Sequence, residues 1–211
     1  MTALTFPLQL TPWAGFRLEL RIDVKHRPDE LDTELETLYR RLYRPGDSLH
    51  GIATIATNFP ELVFRYREAD GEHYVYVEDV ARRRLAGYTV FNRLIEVGRR
   101  ADPYLRAPHS KYATPYQRRG ISTAVYEWGL GRGFCLISGA RQSTGANALW
   151  HALARRHELG YLDVRDKTLR YLGREVDRKA HDDLHTRMIL LGKEWSIERL
   201  AALTGMRLGG D

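Results

Sequence analysis

Hydrophobic and polar positions alternate most regularly close to the N-terminus. Five apolar residues are separated there by single charged residues: Phe16, Leu18, Leu20, Ile22 and Val24. Successive side chains of a β-strand point to opposite faces, so this alternation predicts a half-buried strand.

A helical spacing replaces the alternation after Pro28. Leucines recur every three or four residues: Leu31, Leu35, Leu38 and Leu42. This pattern predicts an amphipathic helix that begins at Pro28 and stops at Arg44-Pro45-Gly46. A weaker second helix is predicted over residues 47–56.

The middle of the chain is rich in strand patterns. Asp70-Gly71 lies between the apolar runs 62–66 and 74–77, which predicts a β-hairpin. Another strand-rich run covers residues 85–97. Pro103 and Pro108 confine the next strand to about His109–Ala113, because proline cannot donate to a ladder.

The last third alternates helices with strands. Strands are predicted at 134–137, within 161–172 and at 186–191. One helix is expected to run from Ser143 to about His157, and a capped helix from Ser196 to Gly205. The whole order predicts an α/β (α+β) protein with a mixed sheet, in a single domain over residues 1–211.

The stretch from Tyr112 to Trp150 carries the candidate chemistry. A short strand leads into a turn with two arginines and Gly120, and a helix follows at once. Unpaired first-turn amides and the positive end of a helix dipole form an anion site, which glycine lets a phosphate approach closely. The alternative is an ordinary turn, capped by Ser122, with solvated arginines.

Two motifs in this stretch resemble the GNAT superfamily of acyl-CoA-dependent N-acetyltransferases. The superfamily signature is Gln/Arg-x-x-Gly-x-Gly/Ala, and residues 117–122 (Gln-Arg-Arg-Gly-Ile-Ser) fit it with serine in the last place. Residues 143–150 have the spacing of the second motif, Asn-x-x-Ala-x-x-Leu-Tyr. The two motifs stand in the expected order, with a predicted strand between them.

The resemblance implies a GNAT-like fold, in which a twisted mixed sheet is splayed at the strand before the pyrophosphate loop and helices cover both faces. Acetyl-CoA is the implied co-substrate, and an amine attacks its thioester directly. The implied cofactor contacts are Tyr112, Ala113, Thr114, Gln117, Arg118, Arg119, Gly120, Ile121, Ser122 and Ser143. The strand backbone near Tyr112 and Ala113 would polarise the thioester carbonyl.

The catalytic side chains are less well defined. Trp150 stands where the superfamily commonly has a tyrosine that protonates the departing thiolate, and an indole N–H cannot deliver a proton. Ser143 replaces an asparagine. Glu78 and His109 are the candidate bases. An alternative function is therefore a CoA-binding or structural protein on the same scaffold, with little or no turnover.

Composition sets broad limits. The chain has 43% hydrophobic and 28% charged residues, which is typical of a globular protein. It has no apolar run of membrane-spanning length, no signal-peptide pattern at its start and one cysteine, Cys135, so a cytoplasmic protein is expected. The histidines at 181 and 185 lack the glutamate of a zinc-protease motif, so no metal site is predicted.

The net charge of +6 comes with 28 arginines and five lysines. Arginine suits bidentate contacts with phosphate, so CoA, RNA and DNA are all compatible partners. The basic clusters lack interleaved aromatic residues, and no nucleic-acid motif emerges. Acylation of an RNA-borne or protein amine, and homodimer formation, stay open.

Overall fold

The computed structural model describes residues 28–209, and the strand predicted at 16–24 lies outside them. The helices are α1 (Pro28–Leu42), α2 (Ile121–Gly131), α3 (Thr144–Leu153), α4 (Arg178–His181) and α5 (Ile197–Thr204). The strands are β1 (Ala53–Ile55), β2 (Leu62–Ala69), β3 (Glu72–Asp79), β4 (Arg84–Asn92), β5 (Leu105–Tyr112), β6 (Cys135–Ile137), β7 (Leu159–Arg165), β8 (Thr168–Gly173), β9 (Thr186–Leu190) and β10 (Arg207–Leu208).

These strands form one mixed sheet in the order β1-β2-β3-β4-β5-β6-β9-β7-β8-β10. The strands from β1 to β5 are antiparallel neighbours, whereas β5 and β6 run parallel. The predicted α/β class with a mixed sheet is confirmed. Within residues 28–209, no helix combines the length and the apolar character needed to cross a membrane.

Helices cover both faces of the sheet. On one face, α1 lies over β4, and α5 packs under β7 and β9 through Leu200 and its neighbours. We call this the α1 face. On the opposite face, which we call the α2 face, Tyr126 of α2 and Trp150 of α3 join the core.

The hairpin predicted at Asp70-Gly71 is confirmed. Both residues have positive φ, 56° and 76°, as a two-residue turn between twisted strands requires. Helix α1 and the C-terminal helix α5 are also present, and the hydroxyl of Ser196 accepts a hydrogen bond from the Arg199 amide at the start of α5.

The helix predicted over residues 47–56 is wrong. Gly46 and Gly51 take the left-handed conformation, with φ of 82° and 69°, which interrupts a right-handed helix. The residues that follow pair with β2 as strand β1. The β-branched residues Thr54 and Ile55 favour that extended pairing.

Two predicted boundaries are also wrong. Strand β5 begins at Leu105 rather than near His109 and passes through Pro108. Helix α3 ends at Leu153 rather than near His157.

Candidate active site

The parallel strands β5 and β6 separate after two residue pairs, and we call the space between their diverging ends the cleft. They pair only at Leu105–Cys135 and Arg106–Leu136. From Ala107 to Tyr112, β5 continues to pair with β4 on its other edge. The two strands therefore diverge towards their carboxyl ends, which is the splay implied by the resemblance.

Pro108 explains where the splay begins. The Ala113 amide donates to Ala86 O on the β4 side, at 3.0 Å. Because backbone groups alternate along a strand, the backbone groups of residues 108, 110 and 112 face β6. Proline has no N–H to donate to β6, so the ladder stops after Arg106.

The loop at the wide end of the cleft presents free backbone amides. Arg118 and Gly120 take positive φ, 57° and 78°. Gly120 is the N-cap of α2, and no side chain caps the helix. Among the described residues, none accepts a hydrogen bond from the amides of residues 118–123. The predicted cap by Ser122 is therefore wrong, because Gly120 is the N-cap residue.

The two arginines of the loop have different surroundings. Arg119 pairs with Glu61 and lies 5.7 Å from the centre of the Tyr116 ring. Arg118 is exposed, and within residues 28–209 it forms no ion pair. Arg118 is thus the better placed of the two to meet an anion at the loop.

A buried carboxylate fixes the start of the loop. The Tyr116 hydroxyl donates to Asp79 Oδ2 at 2.7 Å, and Arg82 donates to the same oxygen at 2.8 Å. Burial raises the pKa of Asp79, but the hydrogen bonds from Arg82 and Tyr116 outweigh it and lower the pKa below its ordinary value of 3.8. The negative charge therefore anchors Tyr116 one residue before the signature.

Asp79→Asn is expected to destabilise the fold by about 2 kcal/mol, because hydrogen bonds to a charged group contribute about 1.5–3 kcal/mol. Because the pKa of Asp79 is lower in the folded protein than its ordinary value of 3.8, the extra stability of wild type over the variant is present above pH 3.8. This extra stability is lost as the pH falls through the pKa of Asp79 in the folded protein. Urea unfolding of wild type and variant between about pH 3 and pH 7 would measure the difference in their free energies of unfolding at each pH. A constant difference across that range would contradict the prediction.

The end of β5 is held from three sides. Gln117 Nε2 donates to Tyr112 O at 2.9 Å, and the phenol of Tyr112 lies 3.1 Å from Thr89 Oγ1. A Cβ on Gly87 would lie 2.3 Å from the backbone oxygen of Lys111, so only glycine permits this approach of β4 to β5. Gln117 thus orients the strand end as well as opening the signature.

The three predicted catalytic residues lie apart. Glu78 is fully buried at the end of β3, where Tyr43 and Arg65 each donate to it at 2.5 Å, and β4 separates it from the cleft. His109 lies on β5, opposite Val90, with its side chain on the α1 face. Trp150 lies on the α2 face. Their catalytic roles stay predictions, and His109 is the one on a strand of the cleft.

Trp150 is a core residue in this structure. Its side chain is 3% exposed and meets the Tyr126 ring edge-on, with 6.4 Å between centres. Tyr126 Oη lies 3.5 Å from the oxygen of Pro108, which faces the cleft. Burial raises the pKa of Tyr126 to about 12, so its phenol stays protonated. No motif in the sequence singles out this phenol.

Trp150→Tyr is expected to leave the rate of CoA release equal to wild type or to raise it up to about 10-fold, since a general acid contributes at most modestly with a thiol leaving group. Thiol release under saturating substrate is the measurement. A loss of more than about 10-fold would show that the indole is needed for packing at the cleft.

The remaining predicted cofactor contacts have local structural roles. Ser143 is the N-cap of α3 and accepts a hydrogen bond from the Ala146 amide at 3.2 Å. Thr114 opens the short 3-10 turn before Gln117, and Ile121 is buried in the first turn of α2. These three roles leave the backbone of each residue available to a cofactor.

One charged cluster beside the cleft was missed from sequence. Lys111 of β5 donates to Glu34 of α1 at 3.0 Å, and the Tyr88 hydroxyl donates to the other Glu34 oxygen at 2.6 Å. The cluster ties α1 to β5 on the α1 face. Strand register pairs Tyr88 with Lys111, and the packing of α1 over β4 brings Glu34 to both, so periodicity along the chain held no signal for the cluster.

The fold and the site together define a mixed α/β protein in which a loop with free backbone amides lies where the parallel strands β5 and β6 diverge. No family model and no curated protein matches the chain. Solved structures do match. One is a GNAT superfamily phosphinothricin acetyltransferase from Sinorhizobium meliloti in complex with acetyl-CoA, with 24% identity over 58% of this chain and 63% of that chain, and a TM-score of 0.37.

A second similar structure is RimL, a ribosomal alpha-N-protein acetyltransferase in complex with CoA. It has 12% identity over 57% of this chain and 60% of that chain, with a TM-score of 0.33. Both of these structures are of acetyltransferases. This chain spans less than two thirds of either structure, and both TM-scores are below 0.5.

Proposed function

We propose that the protein is an N-acetyltransferase that transfers the acetyl group of acetyl-CoA to an amine. The observation that carries the proposal is the set of unpaired amides of residues 118–123 at the wide end of the β5–β6 cleft. Six consecutive donors at a helix N-terminus suit a diphosphate. The adjacent cleft has an unpaired strand edge, along which an amide-containing pantetheine arm can bind.

The backbone of β5 supplies a donor for the thioester carbonyl. The amides of Tyr112 and Ala113 are the two donors expected to polarise the carbonyl. The Ala113 amide is already hydrogen-bonded to Ala86 O, so only the Tyr112 amide faces the cleft. The Ser110 amide faces the same way. A fixed N–H near the reacting carbonyl stabilises the oxyanion that forms when the amine attacks.

We assign the role of base to His109. It lies on the cleft strand, and its side chain points to the face opposite α2. An amine approaching from the α1 face would meet the thioester from the side that α2 does not cover. After attack, the tetrahedral intermediate collapses, the carbon–sulfur bond breaks, and the thiolate takes up a proton from solvent or from a phenol such as Tyr126.

Thiol release from acetyl-CoA, measured over a panel of amines, tests the proposal. Calorimetric titration with CoA serves as an independent measure of cofactor binding. CoA binding together with amine-dependent thiol release is the expected result. Absence of CoA binding would overturn the assignment of the loop.

A second candidate is a CoA-binding protein without efficient turnover, which Trp150 in place of tyrosine favours. It predicts CoA binding with no thiol release for any amine. Acetyl-CoA hydrolysis at the uncatalysed rate across the whole panel would favour this candidate over the first.

A further inference from the structure

A cavity of about 490 Å³ opens on the α1 face, beyond the end of β6. It is lined by Glu96, Ala140, Val164, Arg165, Asp166, Leu184, His185 and Arg187. Val164 belongs to the core cluster that α5 covers, which places the cavity on the α1 face. The cavity therefore lies across the sheet from the α2 helix and its anion-binding loop.

Strand register places the most buried charge of this cavity beside the cleft. Ile137 of β6 pairs with Ile189 of β9, and the Ser138 amide donates to Met188 O. Continuing that register brings Gly139 opposite Arg187. Glycine has no side chain, so at this level no side chain of residue 139 lies between Arg187 and β5.

Arg187 has the features of a built anion site. Its side chain is 7% exposed, and Nη1 donates to the Leu184 carbonyl, which fixes the orientation of the guanidinium. Nη2 lies 3.2 Å from Glu96 Oε2, whose side chain is 58% exposed. A buried guanidinium needs a partner, whereas an exposed glutamate is released to water at little cost.

The other cation of the cavity is already neutralised. Arg165 bonds to Asp163 at 3.1 Å and to Asp183 at 2.5 Å. Arg187 is therefore the guanidinium whose partner a ligand can replace. Leu184, half exposed, and Val164 add apolar walls beside it.

We propose that this cavity binds the acceptor, and that the acceptor is a small amine carrying a carboxylate, which displaces Glu96 from Arg187. The inference rests on the proposed function, because it uses the amine as the group that reacts. The carboxylate would bind Arg187 through charge-assisted hydrogen bonds, and the apolar part would contact Leu184 and Val164. The amine would then point past Gly139 towards the cleft and His109.

Leucine and 3-methylbutylamine are suitable probes, because they differ only in the carboxylate. Calorimetric titration into the CoA-loaded protein measures binding without relying on turnover. We expect leucine to bind at least about 10-fold more tightly than 3-methylbutylamine, since a charged hydrogen bond contributes about 1.5–3 kcal/mol. Thiol release from acetyl-CoA should show the same preference in KM.

Three variants locate the effect. Arg187→Gln should weaken leucine binding about 10- to 30-fold and leave 3-methylbutylamine unchanged. Glu96→Gln removes the competing carboxylate from an exposed position and should tighten leucine binding about threefold. Arg165→Gln, which lines the same cavity, should change leucine binding less than about twofold, because surface ion pairs contribute little.

Equal binding of the two probes, or unchanged leucine binding in both Arg187→Gln and Glu96→Gln, would overturn the inference. If Arg187→Gln does not fold, as a melting curve would show, Glu96→Gln decides alone. Thiol release with 3-methylbutylamine alone would support the proposed transferase but overturn the carboxylate site. Leucine binding through Arg187 without any thiol release would support the site and count against the transferase.

Discussion

Gly120→Val is expected to weaken CoA binding at least about 100-fold, which corresponds to about 2.8 kcal/mol. Gly120 has a φ of 78°, a conformation that a β-branched residue rarely adopts. A Cβ there would meet no protein atom within 4 Å, so the valine side chain would project into open space beside the free amides. The loss comes from blocking that space and from reorienting the donors.

Two controls separate these causes. Gly120→Asn keeps a residue that tolerates positive φ, so it should retain the loop conformation and lose less affinity than valine. Gly131→Ala also meets no atom within 4 Å, but it lies at the other end of α2 and should leave CoA binding unchanged. Unchanged affinity in Gly120→Val would contradict the assignment of the loop to the diphosphate.

His109→Gln is expected to lower kcat about 100-fold, the lower end of the usual contribution of general base catalysis. The residue lies on β5, on the face where the acceptor cavity opens. Glutamine keeps polarity and approximate size but cannot accept a proton from the amine. CoA affinity should stay unchanged, because the loop amides do not involve this side chain.

Single-turnover thiol release isolates the chemical step for this comparison. The decline of kcat/KM at acid pH that a base produces should disappear in His109→Gln. His151→Gln, at an exposed site on α3, is the matched control and should behave as wild type. An unchanged pH profile in His109→Gln, with a reduced kcat, would show a positioning role instead of proton transfer.

The sequence predicted the elements with strong local signals. The leucine spacing of α1 and the turn residues Asp70-Gly71 each depend on neighbours in the chain, and both predictions are confirmed. The helix predicted at 47–56 was wrong because pairing with β2 overrides a weak helical period. The prediction that Pro108 ends a strand is wrong, because its backbone nitrogen faces the edge of β5 where the β6 ladder has already ended, and proline is tolerated there.

The signature loop was predictable because its chemistry lies in consecutive residues. Glu34, Lys111 and Tyr88 were not, because their contacts depend on how α1 lies over the sheet. The same holds for Arg187 and Glu96, which are paired only through tertiary packing. Local motifs thus predict a candidate cofactor loop, while the candidate acceptor side of the cleft requires the fold.

Only two residue pairs, Leu105–Cys135 and Arg106–Leu136, connect β5 to β6. The first five strands and the last five strands therefore share very little backbone ladder. A coenzyme lying in the cleft would contact both halves of the sheet and replace some of the backbone hydrogen bonds that β5 and β6 do not form. Coenzyme binding would then raise the melting temperature by mass action. Release of the coenzyme would leave the two halves of the sheet less firmly connected.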